Sequence, residues 1–502
     1  MKPISDQQIV TRLKLENPWW ETGAIPAEQA GMKERPYLDQ AYGLMTDFTL
    51  RRALVLMGPR RVGKTVMLFH AIARLIKSGV PAKRIFYVSV DHPLYNHLTL
   101  DDFVAKFKEI ASLGPDGGQA YAFFDEIQYM KDWEILLKHL VDDVPSIKFV
   151  VSGSAAAALR LKSNESGAGR FTDFLLPPLT FYEFLLLLGE DNLVEITSSG
   201  NTFWYEAKNL ERLNELFIEY LNYGGYPELA LSQTARKDPQ RFIKSDIIDK
   251  VLLRDLPSLY GIDDIQELNS LFTTLAYNTG NEVSLEELSK NSGVAKNTIK
   301  KYIEYLEAAF LIRTVSRIDK NAKRFQRAAA FKVYLTNPSI RAALFAPIQE
   351  NDEAMGSVVE TAVFSQFFHD QGLNLHYARW NAGKADSGEV DIVFLDTKAQ
   401  APERVVEVKW SDRYFERPEE LKSLVGFCKK HSLSQAVVTT KTGNANKEFM
   451  DVELMYVPAS AYTYAMGNSI IRRKLASRRH LGRPGMEDFP GRIAAVAAIC
   501  RQ

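Results

Sequence analysis

Cysteine is scarce in this chain: Cys428 and Cys500 are its only two thiols. Their separation fits neither a metal-ligand spacing nor a disulfide framework, which points to a reducing compartment, the cytoplasm. An excess of either charge is also missing, because 62 Lys and Arg residues balance 62 Asp and Glu residues. Any nucleic-acid affinity must then come from local patches and not from the overall field. No uninterrupted apolar run reaches the length of a membrane span, and the greasiest stretch, "FLLLLG" at 184–189, is far too short. The opening "MKPISDQQIVTRLKLENPWW" lacks the apolar centre of a secretory signal. Internal repeats and low-complexity tracts are absent. What remains is the composition of an ordinary soluble globular protein, 46% hydrophobic and 25% charged, and 502 residues are too many for one compact core.

The expected fold class is α/β. Residues 1–35 read as an N-terminal arm, with Trp19 and Trp20 placed to pack on the neighbouring domain. Residues 36–190 alternate apolar strands ("ALVLM", "RIFYVSVD", "AYAFFDEI", "IKFVVSGSA") with helical stretches, the pattern of a P-loop NTPase parallel sheet. Residues 191–350 turn helical around a conspicuous "LNYGGYPELAL". Within them, "SLEELSKNSGVAKNTIKKYIEYLEAAFLI" (284–312) predicts a helix, a turn at Gly293 and a longer helix, as in a winged-helix domain. Residues 351–465 predict helix, strand, strand, helix, strand, an α/β unit of restriction-endonuclease type. Residues 466–502 read as a basic tail, with "RRKLASRRHLGRP".

"GPRRVGKT" has the form G-x-x-x-x-G-K-[ST], between an apolar strand and a helix. Glycines there let backbone N–H groups face phosphate oxygens at a helix N-terminus. The candidate nucleotide-binding residues are Gly58, Pro59, Arg60, Arg61, Val62, Gly63, Lys64, Thr65 and Val66. Lys64 would reach the β- and γ-phosphates and Thr65 would ligate Mg²⁺. Asp125, ending "AFFD", is a second Mg²⁺ ligand by position, and Glu126 is the candidate group that polarises an attacking water. Two acids at a strand end also serve as a solvated edge or a helix cap. Ser152 or Ser154 in "VVSGS" is a candidate γ-phosphate sensor or a simple turn. Arg170 in "GAGRF" is a candidate arginine finger or a surface charge.

A second constellation lies near the other end. "GEVDIVFLDTKAQAPERVVEVKW" (388–410) reads as two apolar strands carrying Asp391, Glu407 and Lys409, where valine would normally be buried. Side chains alternate along a strand, so Glu407 and Lys409 share a side. With Glu360 on the upstream helix "GSVVETAVFSQFF", the order matches a PD-(D/E)xK centre. There Asp391 and Glu407 would gather Mg²⁺ and Lys409 would orient the attacking water. Glu389 shares Asp391's face as a further ligand or as surface. The competing reading is a half-exposed hairpin with acids on its wet face.

With both ends read, the chain resembles the archaeal-type AAA ATPases that carry a C-terminal domain of the restriction-endonuclease type. The resemblance covers about residues 35–460. It rests on "LVLMGPRRVGKT", "FFDEIQ", "FVVSGSA", "GR" at 169–170, "GGYPEL", "KVYLTNPSIRAAL" and "GEVDIVF…VVEVKW". It implies ATP binding and hydrolysis, a winged-helix segment and a nuclease-like end. The loop departs from its relatives in reading "RRVGKTV", where they often have glutamine and a second threonine; Lys64 and Thr65 are intact.

Residues 313–332 hold seven basic side chains and one acid, and Lys296, Lys300 and Lys301 open the second helix of the pair, so DNA is the expected partner. A protein partner encoded nearby and self-assembly are further expectations, and a membrane is not. The cofactors expected are ATP and Mg²⁺. Two functions stand: an ATPase whose nucleotide cycle controls a nuclease-like C-terminal domain that binds or cuts nucleic acid, in anti-phage defence or DNA maintenance, and an ATP-driven regulatory switch whose nuclease-like end binds a partner without cleavage.

Overall fold

The computed structural model describes residues 5–113, 118–154, 169–199, 202–319, 321–322, 330–370, 372–381 and 387–479. The chain divides into two compact units: Met1–Pro177 with Ser258–Tyr260, and Pro178–Pro257 with Gly261–Gln502.

In the first unit the four apolar stretches become β1 (Ala53–Met57), β2 (Ile85–Ser89), β3 (Ala120–Asp125) and β4 (Ile147–Gly153). A fifth strand, β5 (Phe171–Leu175), joins beside β1. All pairings are parallel, in the order β2-β3-β4-β1-β5. The central strands β1, β3 and β4 are buried along their whole length, which is why they read as continuous apolar runs.

The exposed edge of β2 would be a liability, and the N-terminal segment covers it. The Asn17 side chain imitates a strand backbone there. Its Nδ2 donates to Tyr87 O at 2.7 Å and its Oδ1 accepts from Tyr87 N at 2.7 Å. The indole N–H groups of Trp19 and Trp20 both donate to Ile85 O. The expected packing of the two tryptophans is therefore met.

The second unit opens with helix Phe181–Leu188, capped reciprocally by Thr180 and Glu183. The stretch where the pattern turns helical also contains a hairpin, β6 (Val194–Ser199) with β7 (Thr202–Ala207). After a run of helices from Leu210–Tyr223 to Ile265–Tyr277 come helices Leu285–Ser292 and Lys296–Ala308, separated at Gly293, whose φ of +75° suits glycine. The strands are β8 (Glu282–Ser284), β9 (Ile312–Ile318), β10 (Ala330–Leu335), β11 (Leu375–Asn381), β12 (Ser387–Leu395), β13 (Pro402–Glu407), β14 (Gln435–Thr440), β15 (Ala445–Phe449) and β16 (Val452–Pro458). They form one sheet, ordered β15-β16-β14-β13-β12-β11-β9-β10-β8. Segments 191–350 and 351–465 thus share a sheet, joined where β9 pairs in parallel with β11.

Hydrophobic clusters among the described residues of this unit include two that flank the large sheet's strands. One contains Phe181, Tyr220, Tyr334, Phe364 and Ile392; the other contains Trp380, Val393, Val405 and Phe427. Residues 466–479, which read from sequence as the start of a tail, continue helix Ala459–Arg479, and Met466, Ile470 and Ile471 are in its buried face. The apolar residues ahead of the arginines account for that burial. Residues 480–502 lie outside the described residues.

Candidate functional site

The phosphate loop leaves β1 at Gly58 and ends at Gly63, which caps helix Lys64–Lys77 with a φ of +92°. A side chain at Gly58 would place its Cβ 2.2 Å from Leu176 O, so only glycine fits beside the exit of β5. Pro59 and Val62 are buried, Arg61 is exposed with a φ of +63°, and Val66 is half-buried in the first helical turn. Arg60 reaches Tyr129 Oη at 3.4 Å.

Lys64 is buried, and its Nζ donates to Gly58 O at 3.0 Å and Pro59 O at 2.7 Å, folding back over the loop. Burial pushes its ammonium below the ordinary lysine range, while Glu126 and Asp125 work the other way. Thr65 Oγ1 donates to Asp125 Oδ2 at 2.6 Å, bringing the two expected Mg²⁺ ligands together from a helix start and a strand end. A hydroxyl and a carboxylate are donors that Mg²⁺ accepts beside water and phosphate oxygens, so the residues fit the ion.

Asp125 is held by more than sequence reasoning found. Tyr87 Oη donates to its Oδ2 at 3.0 Å, and burial with the neighbouring carboxylate keeps that phenol protonated. The hydroxyl of Ser152, a candidate γ-phosphate sensor or turn residue, donates to Asp125 Oδ1. Glu126 adopts a left-handed φ of +56°, which sharp turning at the end of β3 imposes on a non-glycine residue. Gln128 Nε2 donates to Glu126 Oε2, and Gln128 Oε1 accepts from Ser154 N at 3.1 Å. Arg170, just before β5, forms an ion pair with Asp142.

In the second unit, β12 and β13 pair antiparallel, with Ile392 opposite Val406. Between β11 and β12 the register shifts: Ala378 faces Val390 and His376 faces Val393. Strand β12 therefore carries one extra residue over Asp391–Ile392, a bulge of the kind that re-aims a side chain. Asp391 Oδ2 accepts from Lys409 Nζ at 3.1 Å and from Val408 N at 2.9 Å. Lys409 Nζ also lies 2.8 Å from Glu407 Oε1, which puts both ends of the E-x-K motif on one side. Thr439 pins the lysine's backbone by accepting from Lys409 N and donating to its carbonyl.

Glu360, on helix Met355–Phe367, does not touch Lys409. Its Oε1 accepts from Tyr334 Oη at 2.6 Å and from Lys332 Nζ at 2.9 Å. Lys332 also reaches Glu389 Oε1 at 2.7 Å and lies 3.9 Å from Asp391 Oδ1.

Lys332 corrects the reading of the basic flank. Its place among the seven basic residues of 313–332 suggests a grip on a duplex, yet it is only 3% exposed and sits among carboxylates. The available signal is its position in "FKVYL", two residues before Tyr334 on the same side of an apolar strand. Within that flank, Arg317 lies 3.6 Å from Glu282, and Lys320, Lys323, Arg324 and Arg327 lie outside the described residues. On the second helix of the pair, Lys296 bridges to Glu286 at 2.9 Å and Lys300 approaches Glu304 at 3.9 Å, while Lys301 is exposed.

The electrostatics divide the acidic centre. Burial and the nearby Asp391 raise Glu407 to about 7. Burial also raises Glu360, against the pull of Lys332. For Asp391 burial acts upward as well, but Lys409 and Lys332 outweigh it and the carboxyl is lowered. Glu407 Oε2 is buried without a hydrogen-bond partner. Among the described residues no three His, Cys, Asp or Glu side chains converge to hold a metal ion. Mg²⁺ commonly uses one or two carboxylates and keeps its waters, so the Asp391–Glu407 pair with its unpartnered oxygen fits that ion.

Comparison with known proteins bears on the first unit most. Residues 50–185 match the family model of an AAA domain, and residues 214–352 match a domain of unknown function (DUF8612). The chain thus carries an AAA-type P-loop ATPase domain. An uncharacterized protein of Haemophilus influenzae is 24% identical over 413 residues, covering 80% of this chain and 92% of its own length. One from Methanocaldococcus jannaschii is 25% identical over 274 residues, covering 54% of this chain and 57% of its own. Among solved structures, the Aeropyrum pernix ORC1 protein in complex with DNA shares 13% identity. That match covers 65% of this chain and 96% of ORC1, with a TM-score of 0.31. At that score the likeness says nothing of what this chain binds.

Among the described residues no helix is long and apolar enough to cross a membrane.

Proposed function

We propose that this chain is a Mg-ATP-dependent ATPase whose nucleotide cycle governs a nuclease-like, cation-binding centre built on Asp391, Glu407 and Lys409. The observation that carries the ATPase half is the 2.6 Å contact between Thr65 and Asp125, with Lys64 folded over the loop beside it. Lys64 and the backbone N–H groups of residues 60–66 would hold the phosphates. Thr65 and Asp125 hold Mg²⁺, with Ser152 and Tyr87 fixing the carboxylate. Bound there, Mg²⁺ would neutralise charge on the phosphate oxygens. Glu126, carried outward by its left-handed backbone and tied to Gln128, orients the attacking water.

Loss of ATP binding in Lys64→Ala, and loss of turnover with retained binding in Glu126→Gln, test this half. Unchanged affinity and turnover in Lys64→Ala would refute it.

For the second unit, the proposed division is a helical and winged-helix segment over 191–350 and a PD-(D/E)xK-like segment over 351–465. The helix pair at 285–308 followed by the β9–β10 hairpin supports the former. The convergence of Asp391, Glu407 and Lys409 supports the latter. DNA is the proposed substrate, and self-assembly with an arginine finger such as Arg170 belongs to the same reading, as does a role in defence or DNA maintenance.

One observation favours the rival, a switch that binds without cutting: a buried lysine, Lys332, already neutralises Glu360 and Glu389. The two part on an assay with linear, circular and single-stranded DNA and RNA, in Mg²⁺ or Mn²⁺, with and without ATP. Strand breakage abolished by Glu407→Ala supports the nuclease. Intact substrates beside measurable ATP turnover support the switch.

A further inference from the structure

Four carboxylates and two ammonium groups meet in the acidic centre: Glu360, Glu389, Asp391 and Glu407 against Lys332 and Lys409. Lys409, from the E-x-K tripeptide, serves the Asp391–Glu407 end. Lys332 serves the other end and comes from β10, outside the hairpin and helix that supply the acids. Its side chain is 4% exposed, and its ammonium lies 2.9 Å from Glu360, 2.7 Å from Glu389 and 3.9 Å from Asp391. Tyr334 donates to the same Glu360 oxygen, and the Tyr377 ring lies 5.3 Å from the ammonium. The opposite end of the cluster is less complete, since Glu407 Oε2 is buried with no hydrogen-bond partner.

We propose that Lys332 is a built-in competitor of divalent cations at this centre. Its ammonium stands among Glu360, Glu389 and Asp391 where an ion would otherwise be drawn, so that an ion would enter at the unpartnered Glu407 Oε2 of the other end, beside Lys409. The inference rests on the reading of this centre as cation-binding and deepens it. An ammonium is a compact charge with three donors, enough to bridge several carboxylates at once. An ion entering the centre meets that positive charge and finds part of the carboxylate charge already neutralised. Ion affinity is therefore weakened, and the centre keeps its geometry without metal.

The test uses the full chain, free of nucleotide, with Mn²⁺ alone as the probe. Binding is followed by calorimetry and by the electron paramagnetic resonance of free Mn²⁺, and thermal unfolding is compared in EDTA and in Mn²⁺. Lys332→Met should bind Mn²⁺ tighter by on the order of tenfold or more. It should also unfold at a lower temperature than wild type in EDTA and gain more from Mn²⁺. Lys332→Arg, which keeps the charge, should stay near the wild-type affinity.

A folded Lys332→Met with affinity equal to or below wild type would overturn the proposal. Should that variant fail to fold in both conditions, Lys332→Gln takes its place with the same two outcomes. Glu407→Gln, introduced alone and with Lys332→Met, locates the ion. Mn²⁺ binding insensitive to it would remove the cation-binding reading itself. Sensitive binding with no effect of Lys332 would remove only the competitor.

Discussion

Single atoms decide several positions. In "GGYPEL", a Cβ on Gly225 would fall 2.4 Å from Asn337 Oδ1 and 2.6 Å from Ser339 Oγ. Asn337 is fully buried and donates to Tyr220 Oη, so it has nowhere to retreat. Gly225→Ala should cost about 1–3 kcal/mol as overpacking, read from urea denaturation. Asp412 shows the opposite device, an acid gathering donors: Lys441 N, Thr442 N and Oγ1, and Gly443 N all point at it. Burial acts to raise its carboxyl, but these donors prevail and hold it below the ordinary 3.8. A carboxyl lowered in the folded state contributes stability above its unfolded value and loses it as pH falls through the folded one. Asp412→Asn should therefore be less stable than wild type at neutral pH, with the gap closing as pH drops below about 4. A gap that is constant with pH would show that the charge of Asp412 is not what holds the loop.

At the scale of elements, what is legible in the sequence is what lies contiguous in the chain. The phosphate loop, the acids ending β3 and the E-x-K tripeptide each fall within a few residues, and periodicity places them on a strand, turn or helix. Lys332 misleads because its partners come from another helix and another strand, and a lysine in a basic stretch looks solvated until those acids are placed. The bond from Ser152 to Asp125 is hidden for a related reason: Ser152 lies near the end of the strand beside Asp125, and only the parallel register shows that its hydroxyl meets that acid. The β9–β11 pairing is likewise non-local, since strand order in a sheet leaves no local pattern. Edge protection by the N-terminal segment belongs to this scale too. The tryptophans advertise it, but Asn17 does not, although it makes the strand-like bonds. Asn17→Ala would leave Tyr87 N and O without their buried partners, at about 1–3 kcal/mol for each group left unsatisfied. Hydrogen exchange should then quicken at Tyr87 in β2 more than in the central strand β4; equal protection in both would count against the edge-sealing role.

At the scale of the molecule, the two units bury their own apolar residues and carry different candidate sites, so the stabilising effect of a ligand should register first in the unit that binds it. A ligand that binds only folded protein stabilises by RT ln(1 + [L]/Kd), about 2.7 kcal/mol at a hundredfold excess over Kd. A non-hydrolysable ATP analogue with Mg²⁺ should therefore raise the unfolding of the unit holding Lys64 and Thr65, and Lys64→Ala should abolish the shift. Lys332→Met acts on the other unit. Removing one partner from a buried ionic cluster typically costs about 3–5 kcal/mol, and that loss should appear in a different calorimetric transition. Scanning calorimetry of wild type, Lys64→Ala and Lys332→Met, each with and without the analogue, tests the division. Two transitions, one moved by nucleotide and the other by Lys332, are expected because each unit buries its own apolar surface. A single transition moved by both perturbations would mean that the two cores unfold as one cooperative block. Nucleotide occupancy would then change the stability of the acidic centre directly.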